Sequence, residues 1–359
     1  MSDKLPCAIL GASGYIGQHF ARLLADHPWF DTPLLVGTDR SAGKTLEEAW
    51  HPAEEPPSAL AGERIVEATP ARLEKLGVRI VFGAIPSGLA GPIETECVRR
   101  GIAVFTNTAD HRMEPGVPLL VPEVNADHLG LLPSPGTRAP LVTNPNCTTT
   151  GLVLPLAPLL PLLRPEWIAV SSYQALSGAG FPGVASLSVT DNVVPYIPKE
   201  EEKVEQEAAY ILGSRRGKRV ESAAAPFLAQ CVRVAVRDGH LEAVTLKARK
   251  TPSLEEIVGA LEHFDPLRGE GLPTAPRPPI LVTRQPDRPQ PLRDRWAGTP
   301  ARARGMAAVV GRIRWQPPYL RFFVLTHNAV RGGAGGSVIN AELAYHRGYL
   351  APRGPRKTR

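Results

Sequence analysis

The chain has 359 residues, of which 43% are hydrophobic, 21% are charged and 6% are aromatic, and its formal net charge is +6. This composition is typical of a soluble globular protein with room for two domains, and no apolar run approaches the roughly 20 residues of a membrane-spanning helix. The basic residues are spread out, and aromatic residues do not accompany the densest clusters at 215–219 and 353–359, which favours attraction of anionic metabolites over nucleic-acid binding.

Strand and helix patterns alternate in the first half of the chain. Strands are predicted at 7–10, 34–36, 78–82, 102–105 and 140–143, and helices at 16–24, 89–100 and 152–160. Strands that alternate with helices indicate βαβ units and a parallel sheet. Residues 46–62 are rich in Pro and Glu and are expected to form a surface excursion.

After about residue 150 the pattern changes to longer β segments. These are predicted at 167–174, 231–236, 241–247, 307–313 and 320–325, with helices at 200–212 and 254–264. Asp238-Gly239, between the segments 232–236 and 241–246, predicts a β-hairpin. We therefore expect a second, largely antiparallel domain, a Pro- and Arg-rich surface segment at 265–305, and a final helix at 335–349.

A glycine-rich loop, Gly11-Ala-Ser-Gly14-Tyr-Ile-Gly17, follows the first predicted strand and opens the first predicted helix. Glycines allow a tight turn and a close backbone approach, so a pyrophosphate can bind at the helix N-terminus. The spacing is a variant of the usual dinucleotide fingerprint, and glycines also serve plain turn geometry. The position between a strand and a helix favours nucleotide binding.

The residues after the second strand bear on which dinucleotide binds. Asp39 would favour a free ribose hydroxyl, whereas Arg40 would accommodate a 2′-phosphate. Together with Ser41 and Lys44, Arg40 favours NADP, while Asp39 leaves NAD use open.

Cys147 directly follows a predicted strand and precedes a predicted helix. The positive end of a helix dipole favours thiolate, which is the nucleophilic form of cysteine. A lone cysteine is also a common small buried hydrophobe. The other cysteines, Cys7, Cys97 and Cys231, show no paired metal spacing, and the first residues lack a signal peptide. We therefore expect free thiols, no metal site and a cytoplasmic location.

Other candidate residues each allow a structural interpretation. Gln174 could orient a reacting group or cap a loop. Glu200 and Lys203 lie three residues apart and share one helix face, so they could also form an ordinary surface ion pair. Arg233 falls in a β segment, and His240 follows the Asp-Gly turn.

Taken together, these segments resemble the aspartate-β-semialdehyde dehydrogenase family in its archaeal and fungal branch. The resemblance follows the same order along nearly the whole chain. The matching motifs are Leu10-Gly-Ala-Ser-Gly-Tyr-Ile-Gly17, Asp39-Arg-Ser-Ala-Gly-Lys44, Asp110-His-Arg-Met113, Pro122-Glu-Val-Asn125, Asn144-Pro-Asn-Cys147, Gln174-Ala-Leu-Ser-Gly-Ala-Gly180, Asp191-Asn-Val-Val-Pro-Tyr-Ile197, Glu200-Glu-Glu-Lys203, the segment 233–240 and Arg331-Gly-Gly-Ala-Gly-Gly336.

The resemblance implies an α/β fold with a Rossmann-type NADP-binding domain (1–148 and 330–359). It also implies an α+β catalytic and dimerisation domain (149–329) with a mainly antiparallel sheet, assembled as a homodimer or homotetramer. The implied activity is the NADP-dependent reductive dephosphorylation of L-aspartyl-4-phosphate to L-aspartate-4-semialdehyde through a cysteine thioester, a step of lysine, methionine and threonine biosynthesis. The C-terminal helix after Arg331 would return to the nucleotide-binding domain.

The resemblance also implies residue roles. Cys147 would be the acyl-accepting nucleophile, His240 the general acid/base and Gln174 an orienting group. The substrate carboxylate would be bound by Arg233, its ammonium group by Glu200, and the phosphate by Arg112 and Lys203. The cofactor would be bound by Gly11, Ser13, Gly14, Tyr15, Ile16, Gly17, Arg40, Ser41, Ser87, Ser177, Gly178 and Asn328.

Three alternatives stay open. A malonyl-CoA reductase on the same scaffold would keep Cys147, His240 and a carboxylate-binding Arg, but would need room for coenzyme A instead of a phosphate site. N-acetylglutamyl-phosphate reductase fits the Asn-Pro-Asn-Cys context poorly. A non-catalytic relative would be expected to lack one of Cys147, Gln174, Arg233 and His240, and all four are present.

Overall fold

The computed structural model describes residues 4–350. The basic cluster at 353–359 and the outermost parts of the predicted nucleotide-binding domain, 1–3 and 351–359, lie outside the described residues. The strands of the first sheet are β1 (Cys7–Leu10), β2 (Leu34–Val36), β3 (Ile80–Gly83), β4 (Ala103–Thr106) and β5 (Leu141–Thr143). They are all parallel, in the spatial order β2-β1-β3-β4-β5. The accompanying helices are α1 (Tyr15–Leu24), α2 (Pro70–Lys75), α3 (Ala90–Arg99) and α4 (Pro122–Asn125), the last followed by a 3₁₀ turn at Ala126–Leu131.

Alternate residues of the first sheet face two separate apolar cores. Phe82 and Phe105 pack with α1 on one face, whereas Val81 and Val104 pack with α2 and α3 on the other. Every residue of β1, β3 and β4 is buried, as expected of parallel strands that are covered on both faces. The predicted Rossmann-type domain is confirmed.

The last strand of this sheet leads into a long helix, α5 (Cys147–Leu163), which extends beyond the predicted range of 152–160 at both ends. Its N-cap is Asn146, whose Oδ1 accepts hydrogen bonds from the backbone N–H groups of Thr148 and Thr149. The cap starts the helix at Cys147 itself. The thiol therefore lies at the carboxyl edge of the parallel sheet, where α/β folds bind their ligands.

The second half of the chain forms a mixed sheet. Its strands are β6 (Pro165–Gln174), β9 (Phe227–Arg233), β10 (His240–Ala248), β11 (Ile280–Val282), β12 (Ala308–Gln316) and β13 (Tyr319–Thr326). The strands β7 (Ser214–Arg216) and β8 (Arg219–Glu221) form a separate hairpin. The helices are α6 (Ser186–Val189), α7 (Glu200–Ile211), α8 (Leu254–Glu262) and α9 (Pro291–Asp294), with 3₁₀ turns at Leu176–Ala179 and Ala301–Ala303.

The spatial order of this sheet is β11-β12-β13-β10-β6-β9. The central pairings β12–β13, β13–β10 and β10–β6 are antiparallel, and the edge pairings β11–β12 and β6–β9 are parallel. The mainly antiparallel second domain is confirmed. The predicted hairpin at Asp238-Gly239 is wrong, because β6 lies between β9 and β10 and pairs with both. Gly239 does adopt a positive φ of 99°, so the turn signal was real but the strand pairing was not local.

Two segments that were expected on the surface contribute to the core of the first domain. Leu46 and Leu60, in the Pro- and Glu-rich segment, are fully buried. Leu267, Leu272 and Ala303, in the segment 265–305, pack in the same cluster. Isolated apolar residues thus anchor both of these Pro-rich segments in the core of the first domain. Within residues 4–350, no helix is both long and apolar enough to cross a bilayer.

A buried ion pair anchors the C-terminal segment, which consists of a π-helical turn (Val330–Ala334) and α10 (Gly335–His346). The guanidinium of Arg331 donates to both oxygens of Glu123 in α4, at 2.9 and 2.7 Å. The two residues are 1% and 4% exposed. The following helix, α10, packs in the core beside α1 and β4.

Glu123→Gln should leave the buried Arg331 charge without a counter-ion and lower the free energy of unfolding by about 3–5 kcal/mol. Urea denaturation measures this change. The matched control is Glu96→Gln, which removes a partly exposed carboxylate from Arg99 and Arg100 and should change stability far less. Equal losses in the two variants would contradict the importance of the buried pair.

Candidate active site

The candidate site is centred on Cys147, the first residue of α5, and His240, the first residue of β10. The Sγ of Cys147 lies 3.1 Å from Nε2 of His240, although 93 residues separate them in the chain. Cys147 is partly exposed and His240 is fully buried. The two sheets thus bring a thiol and an imidazole into direct contact, as cysteine-based acyl transfer requires.

A hydrogen bond fixes which nitrogen of His240 carries the proton. Nδ1 lies 3.1 Å from the backbone nitrogen of Ala175. A backbone N–H can only donate, so Nδ1 accepts and the neutral ring holds its proton on Nε2. The Nε2–H is therefore directed at Sγ of Cys147, and the imidazole is placed as a hydrogen-bond donor.

Burial controls the charge of both groups. Burial, with the charge of Glu200 adding to it, raises the pKa of Cys147 to about 12 against the opposing effects of Arg112 and Arg233. Burial and the charge of Arg233 lower the pKa of His240 to about 3. Between these values both groups are neutral. The neutral thiol differs from the expected thiolate, because desolvation of the charge outweighs the helix dipole.

Arg233 is a buried cation, 6% exposed, at the end of β9. Its Nη1 donates to the carbonyl oxygen of Ala175 at 2.7 Å, and no carboxylate among the described residues forms an ion pair with it. Gly178 lies against it, since a Cβ there would be 2.7 Å from Nη1. A buried guanidinium without a counter-ion is costly, and it is suited to bind a carboxylate ligand.

Glu200 and Gln174, which were predicted separately, belong to one hydrogen-bond network. Oε1 of Glu200 accepts from Nδ2 of Asn146 at 2.9 Å and from Nε2 of Gln174 at 3.0 Å. Gln174 also donates to Ser172 at 3.2 Å. All of these side chains are buried. The network joins β6 and α7 to the residue that precedes Cys147.

The two cations predicted to bind phosphate have different surroundings. Lys203 is half-buried on α7, and its ammonium group has no partner within residues 4–350. The guanidinium of Arg112 donates to Glu207 at 2.9 Å and to the carbonyl oxygen of Asn107 at 2.8 Å. Glu207 was not among the residues predicted from the sequence. The only signal was its spacing of seven residues from Glu200, which puts both carboxylates on one helix face.

The glycine loop has the backbone geometry of an anion-binding cradle. Gly11 has a φ of 87°, and a Cβ at Gly17 would lie 2.1 Å from the carbonyl oxygen of Gly11. The N-cap of α1 is Gly14, which supplies no side-chain hydrogen bond. The first-turn N–H groups are thus left for an anion such as a pyrophosphate. Ser13 and Ile16 lie partly exposed on this loop.

Hydrogen bonds connect this loop to the second domain. The hydroxyl of Tyr15 donates to Oδ1 of Asp238 at 2.8 Å, and burial and the charge of Asp238 raise the tyrosine pKa. Asn328 accepts from the backbone N–H of Gly239 at 2.8 Å and donates to Ser177 at 2.9 Å. Three residues predicted to bind the cofactor, Tyr15, Ser177 and Asn328, therefore also hold the turn that precedes His240.

The remaining predicted cofactor residues lie at the carboxyl edge of the first sheet. Arg40 follows β2 and is exposed, and its backbone N–H donates to Asp39 at 2.9 Å. The hydroxyl of Ser41 donates to the carbonyl oxygen of Thr38 at 3.3 Å, so it is already engaged. Ser87 follows β3 and accepts a backbone N–H at 3.1 Å. Among these side chains, Arg40 is the group most available to a phosphate.

Comparisons with known proteins identify the family to which the chain belongs. Residues 6–132 match the family described as "Semialdehyde dehydrogenase, NAD binding domain", and residues 156–331 match "Semialdehyde dehydrogenase, dimerisation domain". The aspartate-semialdehyde dehydrogenase of Archaeoglobus fulgidus is 44% identical over 93% of this chain and 96% of its own length. The malonyl CoA reductase (NADP) of Metallosphaera sedula is 35% identical over 98% of this chain and 100% of its own length.

A solved structure is also similar. The crystal structure of aspartate semialdehyde dehydrogenase with NADP from Candida albicans superposes with a TM-score of 0.84 and 34% identity, covering 97% of this chain and 100% of that one. An archaeal and a fungal relative thus match nearly the whole chain, including both of its domains. The chain belongs to the semialdehyde dehydrogenase family.

Proposed function

We propose that this protein is an NADP-dependent aspartate-semialdehyde dehydrogenase, which reduces L-aspartyl-4-phosphate to L-aspartate-4-semialdehyde and releases phosphate. The observation that carries the proposal is the 3.1 Å contact between Cys147 and His240. Next to it lies the buried guanidinium of Arg233, which forms no ion pair with any residue in 4–350. This arrangement places a nucleophile, a proton donor and a carboxylate-binding group together. The name of the Archaeoglobus fulgidus relative supports the same reaction.

In the proposed mechanism, the sulfur of Cys147 attacks the acyl carbon, and the carbon–oxygen bond to phosphate breaks to leave a thioester. The thiol proton leaves with the departing phosphate. NADPH, when bound, would supply the hydride that adds to the thioester carbon, after which the carbon–sulfur bond breaks to release the aldehyde and restore the thiol. His240 then acts through its Nε2–H, which can donate to the oxygen that becomes negative on the reacting carbon. Because Nδ1 accepts a hydrogen bond from the backbone N–H of Ala175, the proton of His240 lies on Nε2. This geometry favours His240 as the general acid of the predicted acid/base role.

Substrate recognition is assigned to groups whose charges are complementary to the substrate. Arg233 would bind the α-carboxylate, since it is a buried cation that forms no ion pair within the described part of the chain. Glu200 would face the ammonium group, since only one of its oxygens is engaged by Asn146 and Gln174. Lys203, with no partner among the described residues, would be the main phosphate ligand, and the compensated Arg112 would assist it.

NADP would bind at the first sheet, with its pyrophosphate on the loop of Gly11, Gly14 and Gly17 and its 2′-phosphate near Arg40. The uncapped start of α1 and the exposed Arg40 fit these groups. The Candida albicans structure, solved with NADP, supports this choice. Ser87, Ser177, Gly178 and Asn328 are proposed to lie along the rest of the cofactor.

The assembly is proposed to be a homodimer or homotetramer, in keeping with the dimerisation domain that residues 156–331 match. We propose the domain division 1–148 with 330–359, and 149–329, supported by the two separate sheets. All four cysteines are free thiols, which fits a reducing compartment such as the cytoplasm.

Malonyl-CoA reduction is the second candidate function, because the Metallosphaera sedula relative matches 98% of this chain. Such an enzyme would use Cys147, His240 and Arg233 in the same way. It would give Glu200 no ammonium partner and Lys203 no phosphate. The presence of both residues at the site favours the aspartate substrate.

The direct test is an assay of NADP reduction with aspartate semialdehyde and phosphate, run beside malonate semialdehyde with coenzyme A. We expect phosphate-dependent turnover with the first pair and little with the second. Cys147→Ser should lose most turnover while NADP still binds. Faster reaction with malonate semialdehyde and coenzyme A, unaffected by Glu200→Gln, would overturn the aspartate assignment.

Truncation of the two cations should separate the substrates. Lys203→Ala should raise the KM for phosphate roughly 10- to 100-fold, since a charged hydrogen bond is lost. Arg233→Ala should instead raise the KM for the semialdehyde. Each variant serves as the control for the other, and equal effects of both on both substrates would contradict the assignment.

Arg40→Ala should weaken NADP binding more than NAD binding, by roughly 1–3 kcal/mol if a charged hydrogen bond to the 2′-phosphate is lost. Fluorescence titration with each reduced cofactor measures the two dissociation constants. Arg99→Ala, on the exposed face of α3, is the control. Equal weakening of both cofactors by Arg40→Ala would show that Arg40 does not contact the 2′-phosphate.

A further inference from the structure

Glu207 is a buried carboxylate, 3% exposed, that no step of the proposed mechanism uses. It lies on α7 and bridges two groups of the site. Its Oε1 accepts from Nη1 of Arg112 at 2.9 Å, and its Oε2 accepts from the backbone N–H of Asn146 at 2.6 Å. One carboxylate therefore holds both a candidate phosphate ligand and the residue that precedes the nucleophile.

The contact with Asn146 bears on the position of Cys147. Asn146 caps α5 through its side-chain oxygen, which accepts from Thr148 and Thr149. Its side-chain nitrogen donates to Glu200, and its backbone N–H donates to Glu207. The backbone N–H and the side-chain nitrogen of Asn146 thus both donate to carboxylates of α7. These two hydrogen bonds restrict movement of the start of α5.

The spacing along α7 explains how one helix does this. Glu200, Lys203 and Glu207 are separated by three and four residues, so they share one face. Glu200 holds the side chain of Asn146, and Glu207 holds its backbone two helical turns further on. Lys203 lies between the two carboxylates. The face thus combines the candidate phosphate ligand with two groups that position the nucleophile.

The contact with Arg112 bears on charge. Arg112 is 9% exposed, and its Nε has no hydrogen-bond partner within the described chain. The carboxylate of Glu207 compensates this buried cation, whose charge acts to lower the pKa of Cys147. Without that carboxylate, the full charge of Arg112 would favour the thiolate more strongly.

We propose that Glu207 is a positioning residue of the acyl-transfer site, which fixes Cys147 through the backbone of Asn146 and sets the effective charge of Arg112. This inference rests on the proposed function and extends it. Two effects of one carboxylate are separated here. Its charge affects the thiol through Arg112, and the length of its side chain allows the hydrogen bond to Asn146 that positions the start of α5.

The test compares Glu207→Gln, Glu207→Asp and the control Glu202→Gln, which changes an exposed residue of the same helix. The first readout is the pH dependence of Cys147 alkylation by iodoacetamide, which needs no substrate. Cys147→Ala gives the background, because the other three cysteines are buried. The second readout is kcat and KM in the phosphate-dependent oxidation of aspartate semialdehyde.

Glu207→Gln should alkylate roughly 3- to 10-fold faster at pH 8, because the charge of Arg112 is then uncompensated and lowers the thiol pKa more strongly. Its kcat should fall roughly 10- to 100-fold because the nucleophile is displaced, while the KM for the semialdehyde stays within about twofold. Glu207→Asp keeps the charge but has a shorter side chain that cannot hold Asn146 in the same position. It should therefore be alkylated at the wild-type rate and still have a lower kcat. Glu202→Gln should match the wild type in both readouts.

A lower melting temperature with unchanged alkylation and unchanged kcat in both Glu207 variants would overturn the proposal and leave Glu207 a structural residue only. If Glu207→Gln does not fold, Glu207→Asp decides: wild-type kcat in that variant also overturns it. Wild-type enzyme without phosphate-dependent turnover would instead contradict the proposed function, and the alkylation comparison would still test the effect of Glu207 on Cys147.

Discussion

The contact between Sγ of Cys147 and Nε2 of His240 is the interaction on which the rest of the site depends. It joins the end of the parallel sheet to the start of a strand in the mixed sheet, so it forms only when the two domains are correctly placed. Hydrogen bonds on either side maintain that placement. Tyr15 in the glycine loop holds Asp238, and Asn328 holds Gly239. The glycine loop, where we propose that the cofactor binds, and the imidazole are therefore linked through a few direct contacts.

The burial that makes this contact possible also sets its charge state. A closed site strengthens every electrostatic interaction with a substrate, but it disfavours isolated charges on the protein. Cys147 and His240 accordingly stay neutral. Arg112 is compensated by Glu207, whereas Arg233 has no ion-pair partner among the described residues. An anionic substrate would supply the negative charge that Arg233 needs. The site would then become active when this substrate binds.

Local sequence signals predicted the parts of the molecule that depend on local structure. The glycine loop and the strand-to-helix position of Cys147 follow from neighbouring residues, and the family resemblance supplied His240 and Arg233. The pairing of β9 with β10 was wrong because strand order depends on contacts between distant segments. Glu207 was missed for the same reason. Its partners Arg112 and Asn146 are distant in the chain, and a glutamate in an acidic helix resembles any solvated one.

The central claim is that Cys147 carries the acyl group. Its most direct test mixes the enzyme with NADP and aspartate semialdehyde without phosphate, follows NADPH formation rapidly, and locates any adduct by mass spectrometry of the digested protein. We expect a burst of about one NADPH per chain and an aspartyl group on the peptide that contains Cys147, released when phosphate is added. The absence of a burst, or an adduct on another residue, would contradict the account.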